Sequence, residues 1–251
     1  MNTLISTGPA GSGLAGWVVA GAVVGFLSAA VLRTTVFRLS VPSGEPPRTT
    51  CLRCATGVSA IFRCPRCHAS YGVPLVLEFV TAAVAGLLAW RFAGSPVAPA
   101  FVFIGVIGVA LAAVDLSVQR LPNRLTVPLY PGLIVLFGAA ALLSDRADLL
   151  LRAIFGGLVL GTAYLILALV GRGQLGGGDV KLAGGIGIAL GWLGWPAVFA
   201  GAALGFVLMA VVCLALLAAR RITLRHSVSF GPFMLAGALV AVLLSAAVPT
   251  A

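Results

Sequence analysis

Residues 196–218 read PAVFAGAALGFVLMAVVCLALLA, a run without one charged side chain. A helix needs about 20 mostly apolar residues to cross the hydrocarbon core of a bilayer, and this run is long enough. Comparable runs lie at residues 14–36, 73–92, 97–116, 126–143, 149–170 and 230–248, with a shorter, glycine-rich one at 180–193. Composition agrees with this local reading. The chain is 61% hydrophobic and 9% charged, with a mean hydropathy of +1.14, whereas soluble domains carry about 25% charged residues. A water-facing surface cannot be assembled from such material, which excludes a soluble globular enzyme, a disordered protein and a nucleic-acid binder. The expected fold is an all-α polytopic membrane protein of about eight transmembrane helices, with the lipid bilayer as its solvent.

The net charge of +10 follows the same logic, because Lys and Arg of membrane proteins concentrate in cytoplasmic loops. With the N-terminus outside and eight alternating spans, the inner side holds Arg33, Arg38, Arg48, Arg53, Arg63, Arg66, Arg120, Arg124, Arg172, Lys181, Arg220, Arg221 and Arg225. The outer side holds only Arg91, Arg146 and Arg152. Both termini are therefore expected outside. No basic stretch precedes the first apolar run, so it is read as a retained span and not as a cleaved signal. The chain then divides into a first transmembrane segment (1–36), a cytoplasmic loop (37–72) and a helical membrane core (73–251). No period of 20–50 residues recurs.

Six acidic residues can be taken one by one. Asp145 and Asp148 fall in a short outer loop beside Arg146 and Arg152, and Glu45 stands among prolines; all three read as solvated. Asp115 and Asp179 are different, since each falls at the cytoplasmic boundary of a span. Ionisable groups within spans are costly and normally face the bundle interior, where they do chemistry. Three glycines, Gly176, Gly177 and Gly178, precede Asp179. Glycine tolerates positive φ and close backbone approach, so an extended substrate fits against such a turn. After Asp115, Pro122 stops one helix and Asn123 is suited to cap the next. Two carboxylates sharing a partly desolvated cleft share a proton. The ionised one then activates water while the protonated one polarises a peptide carbonyl. That is aspartic-protease chemistry, and it needs no metal or cofactor.

Four of the five cysteines form two CxxC pairs, Cys51/Cys54 and Cys64/Cys67, separated by nine residues. Four thiolates so arranged suit tetrahedral zinc, and a cytoplasmic loop keeps them reduced. His68 and His226 read as ordinary loop residues, and Cys213 as a filler within a span.

At these positions the sequence resembles a known family. Asp115 with Leu121-Pro122-Asn123, then Gly176-Gly177-Gly178-Asp179 and Lys181, are similar to the motifs of the prepilin peptidases, the type IV leader peptidases of the GxGD class of membrane aspartic proteases. Ser229-Phe230-Gly231-Pro232-Phe233 is similar to a further segment of that family. The two Asp motifs stand 64 residues apart, and the likeness covers roughly residues 110–237. The resemblance implies that residues 73–251 form a protease core in a bacterial inner membrane, with its active site facing the cytoplasm. Its substrates would be type IV prepilins or pseudopilins, losing their short basic leaders. Asp115 and Asp179 would be the catalytic pair. Gly176, Gly178, Lys181, Pro122 and Asn123 would line the substrate-binding turn. Many family members also carry paired CxxC motifs and methylate the new N-terminus with S-adenosylmethionine. Here the spacing between the pairs is shorter than usual, and the family's Gly-Ser-Phe-Leu-Asn segment is not recognisable around Gly25-Phe26-Leu27-Ser28. Pro74 and Glu78 match the family only loosely; Glu78 would either pair with a loop arginine or serve the methylation.

Two other classes compete. A proton-coupled transporter also uses broken helices and buried acids, but near the midplane and between inverted repeats. A membrane scaffold docking a partner through its zinc loop leaves both Asp motifs without a purpose.

Overall fold

The computed structural model describes residues 11–42, 44–58, 63–72, 75–171, 175–221, 223 and 228–245. Pro74, Arg172, Arg225 and His226 lie outside the described residues. Eight helices form among the rest: α1 (Gly11–Leu39), α2 (Val76–Arg91), α3 (Ala98–Val118), α4 (Asn123–Ser144), α5 (Ala147–Val170), α6 (Gly177–Leu193), α7 (Trp195–Ala218) and α8 (Gly231–Leu244). Each apolar run of the sequence corresponds to one helix. Five of them (α1, α3, α4, α5 and α7) are long and apolar enough to cross a membrane. Large apolar side chains on their outer faces, such as Leu142, Leu169 and Leu214, are exposed, as a lipid-facing surface requires. The chain is a multi-pass membrane protein.

α6 is the helix that organises the bundle. Every residue from Leu182 to Trp192 is buried, and a helix that is apolar all round belongs in a core. Its glycines are what allow this. A Cβ on Gly187 would lie 2.5 Å from the Gly156 carbonyl of α5, so the two backbones touch along a glycine face of the kind that drives helix association in lipid. Its 17 residues reach only about 25 Å at 1.5 Å per residue. That is short for a lipid-exposed span but sufficient for one enclosed by protein. A ladder of rings ties α6 to its neighbours: Phe137 of α4 stacks on Trp192 at 5.0 Å, and Phe101 of α3 meets Phe137 edge-on at 5.5 Å.

Helix ends alternate between the two ends of the bundle. The C-terminus of α3 stops at Gln119, which is left-handed at φ 52; α4 restarts four residues later. At this end Arg120 donates to the Pro42 carbonyl at 2.9 Å, which joins the Asp115 end of α3 to the segment after α1. At the opposite end Arg91 of α2 donates to the Ser245 carbonyl at 2.7 Å, and Arg152 of α5 to the carbonyls of Gly191 and Trp192 at 2.9 and 2.6 Å. The basic residues thus separate by bundle end as the charge pattern predicts. Asp148 pairs with Arg146 in the open, as expected of a solvated loop.

Glu78 of α2 is completely buried. Its partner is Arg33 of α1, which donates from Nε at 2.6 Å and also from Nη2. The expected loop arginine is therefore replaced by one inside a helix, and Ser70 of the loop accepts a further N–H of Arg33 at 3.3 Å. Cys213 is only half-buried on α7 and does not fill the core.

Candidate functional site

Three helix termini and one connection converge on Asp115. The residue sits one turn from the end of α3 and is only 4% exposed. Its Oδ2 accepts the backbone N–H of Gly231 at 3.0 Å and the hydroxyl of Ser229. Both donors belong to the entry into α8. Burying a carboxylate is costly unless hydrogen bonds replace its water, and these two do so. Position 231 must be glycine for this: a Cβ there would lie 2.6 Å from Asp115 Oδ2.

Asp179 occupies the first turn of α6 and is half-buried. Its Oδ2 accepts the Gly176 N–H at 3.2 Å, satisfying a donor that a helix start otherwise leaves orphaned. Asp115 and Asp179 both belong to segments that pack on Leu121. Leu121 explains how they meet. A Cβ on Gly178 would stand 2.7 Å from the Leu121 Cβ, and one on Gly231 would stand 3.6 Å from its Cδ2. The α6 start and the α8 start therefore close on the same side chain of the α3–α4 connection.

The glycines act differently from the expectation. Gly176 is extended, at φ −69 and ψ 143, and neither Gly177 nor Gly178 has a positive φ. Their value is in missing side chains. Gly178 admits Leu121, while Gly176 and Gly177 leave the helix start exposed. Asn123 is also corrected. The N-cap of α4 is Pro122, without a side-chain cap bond, so α4 begins at Asn123. The Asn123 Oδ1 instead accepts the ammonium of Lys181 at 2.7 Å, a link between α4 and α6. Tyr130 reinforces it by donating to the Lys181 carbonyl at 2.6 Å.

Sequence reasoning missed three participants. Ser229 was quoted only within a motif, and its hydroxyl is a ligand of Asp115. Tyr130 carries no motif signal. Tyr164 of α5 stacks on Phe230 at 6.1 Å, the residue preceding Gly231.

The cysteine segment folds into two matched knuckles. The Cys51 carbonyl accepts the Ala55 N–H and the Cys64 carbonyl the His68 N–H, each at 3.0 Å. Ala55 and His68 are both left-handed, at φ 57 and 54. Each knuckle is closed by an isolated antiparallel bridge, Thr50 with Gly57 and Arg63 with Ser70. This is a short internal repeat below the periods sought in the sequence. All four sulfurs lie within 4.8 Å of one another, with Cys51–Cys67 at 3.6 Å and Cys54–Cys64 at 3.4 Å. Four sulfurs at about 2.3 Å from one zinc stand roughly 3.8 Å apart, so the set fits that ion. The hydroxyl and N–H of Thr56 pull the Cys54 thiol down to about 6. The Arg53 N–H lowers Cys51. The Ala69 N–H favours the Cys67 thiolate, yet burial and the adjoining sulfurs push that thiol up to about 12. His68 is exposed, as a plain loop residue should be.

Residues 101–219, from α3 to just past α7, match the Type IV leader peptidase family. The prepilin leader peptidase/N-methyltransferase of Pseudomonas aeruginosa is 32% identical over 186 residues, 72% of this chain and 62% of that protein. The Stutzerimonas stutzeri protein of the same name is 31% identical over 185 residues, again 72% and 62%. That of Aeromonas salmonicida is 29% identical over 212 residues, 78% of this chain and 71% of the relative. The match thus spans less than two thirds of the first two relatives. No solved structure matches the chain.

Proposed function

We propose that this chain is a membrane aspartic endopeptidase that removes the leader peptide of type IV prepilin-like proteins at the cytoplasmic face of a bacterial inner membrane. The observation that supports the reading is the convergence on Leu121 of Gly178, next to Asp179, and Gly231, which holds Asp115, at one end of the bundle. Two carboxylates sharing a desolvated cleft hold one proton between them. The ionised member takes a proton from water as it attacks the scissile carbonyl, and the protonated member donates to the carbonyl oxygen. Gly176 and Gly178 keep the start of α6 clear for an extended substrate backbone. Lys181, Asn123 and Pro122 hold α4 and α6 at the spacing that cleft needs. Proteolysis requires no cofactor, and no nucleic acid enters the scheme.

The basic residues at the Asp115 end support placing that end, and residues 37–72, in the cytoplasm, with both termini outside. Residues 1–36 are then the first transmembrane segment and 73–251 the protease core. Cys51, Cys54, Cys64 and Cys67 would hold zinc, whose role is to fix the fold of the loop. The relatives' second named activity, N-methylation, follows here as methylation of the amine that cleavage releases, with S-adenosylmethionine as donor. The leading test is Asp115→Ala and Asp179→Ala, each assayed by the mobility shift of a prepilin substrate. Both should insert normally and leave the precursor uncut. Processing by either variant overturns the assignment.

A further inference from the structure

The two residues that hold the Asp115 carboxylate, Ser229 and Gly231, stand on either side of Phe230. A peptide unit is planar, so the chain turns only about φ and ψ. The unit that carries the Gly231 N–H turns about ψ of Phe230, and Ser229 swings about its φ. Those angles are −30° and −92°. Whatever holds Phe230 therefore aims both donors at once.

Two ties hold it. The Phe230 carbonyl accepts the N–H groups of Phe233 and Met234, each at 3.1 Å, which closes the first turn of α8. Pro232 stands in that turn, where its fixed φ suits a helix start. The second tie is the side chain. The Phe230 ring is buried in a stack of three: Tyr164 of α5 lies at 6.1 Å and Phe206 of α7 at 5.0 Å, and those two stand 5.7 Å from each other. All three separations fall within the range of about 4.5–7 Å in which aromatic pairs attract. Both partners are firmly placed. Tyr164 is 4% exposed. A Cβ on Gly205, next to Phe206, would stand 3.3 Å from the Met234 Cα, so α7 is pressed onto α8 at this level.

We propose that Phe230, clamped by Tyr164 and Phe206, is a positioning residue that aims the Ser229 hydroxyl and the Gly231 N–H at Asp115. Its effect on rate rests on the peptidase reading above. The clamp gives a purpose to the remaining member of the segment: Ser229 and Gly231 touch the acid, Pro232 starts the helix, and Phe230 fixes the angle between them. Removal of one ring frees Phe230 to change rotamer, and both donors then tilt away together. Water takes their place on the carboxylate, which loses its fixed direction. Substrate affinity is spared, because the stack acts through Asp115 and not on the substrate.

The test uses the full chain in nanodiscs with a purified type IV prepilin as substrate. Tyr164→Leu and Phe206→Leu each remove one ring. Each should lower kcat roughly two- to tenfold, the strength of one aromatic pair, with KM within about twofold of the parent value. Tyr164→Phe keeps the ring and should cleave like the parent. In a Ser229→Ala background Tyr164→Leu should cost less than in the parent chain, since one of the donors it aims is already gone. Hydrogen exchange of a peptide covering residues 229–234 reads the clamp without activity. It should quicken in both Leu variants and stay parent-like in Tyr164→Phe. Two variants from different helices, each checked for monodispersity on gel filtration, guard against one that misfolds. Parent-like kcat and exchange in both Leu variants, equal loss in Tyr164→Phe, or full additivity with Ser229→Ala overturns the proposal. Parent-like cleavage by Asp115→Asn removes the peptidase reading instead, and the exchange rates still decide whether the rings hold residues 229–231.

Discussion

The backbone N–H of Gly231 donates to Asp115 Oδ2 at 3.0 Å, so the start of α8 is fastened to the carboxylate near the end of α3. The Ser229 hydroxyl fastens the same oxygen. A segment outside the matched family region therefore fixes the orientation of one of the two acids, and the consequences can be measured.

Ser229→Ala removes one of two donors and leaves Asp115 held by the Gly231 N–H alone. Hydrogen bonds to a charged group are worth about 1.5–3 kcal/mol, which corresponds to roughly ten- to hundredfold in rate. The expected result is a fall of that size in kcat for leader cleavage with little change in KM. Ser229→Thr keeps the hydroxyl and should recover most of the activity. Equal loss in both variants would mean that only packing at this position matters.

Gly231→Ala drives a methyl group onto the Asp115 carboxylate. Because the nearby atom belongs to a held side chain, relief requires α8 or Asp115 to move, at about 1–3 kcal/mol. Cleavage should be lost while the membrane-inserted amount stays near normal, measured by quantitative blot of the membrane fraction. Wild-type cleavage would show that the carboxylate is not fixed where Gly231 holds it.

Lys181 and Asn123 form one link, so their substitutions should not add. Lys181→Ala and Asn123→Ala are each expected to lower activity a few-fold, and the double variant to match the worse single one. A double-mutant cycle with a coupling of about 0.5 kcal/mol or more checks this. Strict additivity would mean that the two side chains act apart.

Arg33 and Glu78 make a buried pair between α1 and α2. Removing one member strands the other charge, at about 3–5 kcal/mol. Glu78→Ala should therefore destabilise the chain strongly in a thermal unfolding assay. Arg33→Met combined with Glu78→Leu should restore much of the loss. If Glu78→Ala unfolds like the parent, the pair carries no structural weight.

Purified chain should contain about one zinc per molecule, bound by the four-sulfur set. Cys64→Ser should lose it and expose residues 44–72 to limited proteolysis. A metal-free parent chain with a protease-resistant loop would remove the metal from the account.

Much of this architecture was readable in the chain, because hydrophobic length reports a span directly. Eight apolar runs became eight helices, and the two acids stood out because charges are rare in such runs. Residues 180–193 were the least convincing span, and for a physical reason. A helix enclosed by protein needs glycine for contact more than it needs hydrophobicity, so its signal resembles a loop. Asn123 and the glycines before Asp179 were noticed for a cause the structure does not bear out. Capping and positive φ are local rules, whereas these residues answer to Lys181 and Leu121, which are distant in sequence. Tyr164 left no pattern at all, and Ser229 only its place in a motif, since a single tertiary contact has no periodicity.

The full enclosure of α6 has a consequence for biogenesis. A short, glycine-rich segment that contacts α5 along its backbone is poorly suited to enter lipid alone. It is expected to leave the translocon as a hairpin with its predecessor. Asp179 would then reach Asp115 only after that hairpin docks beside α3 and α8 has closed over the site. On the proposed function, a nascent chain so built stays inert until α8 arrives, which protects neighbouring membrane proteins from premature cleavage.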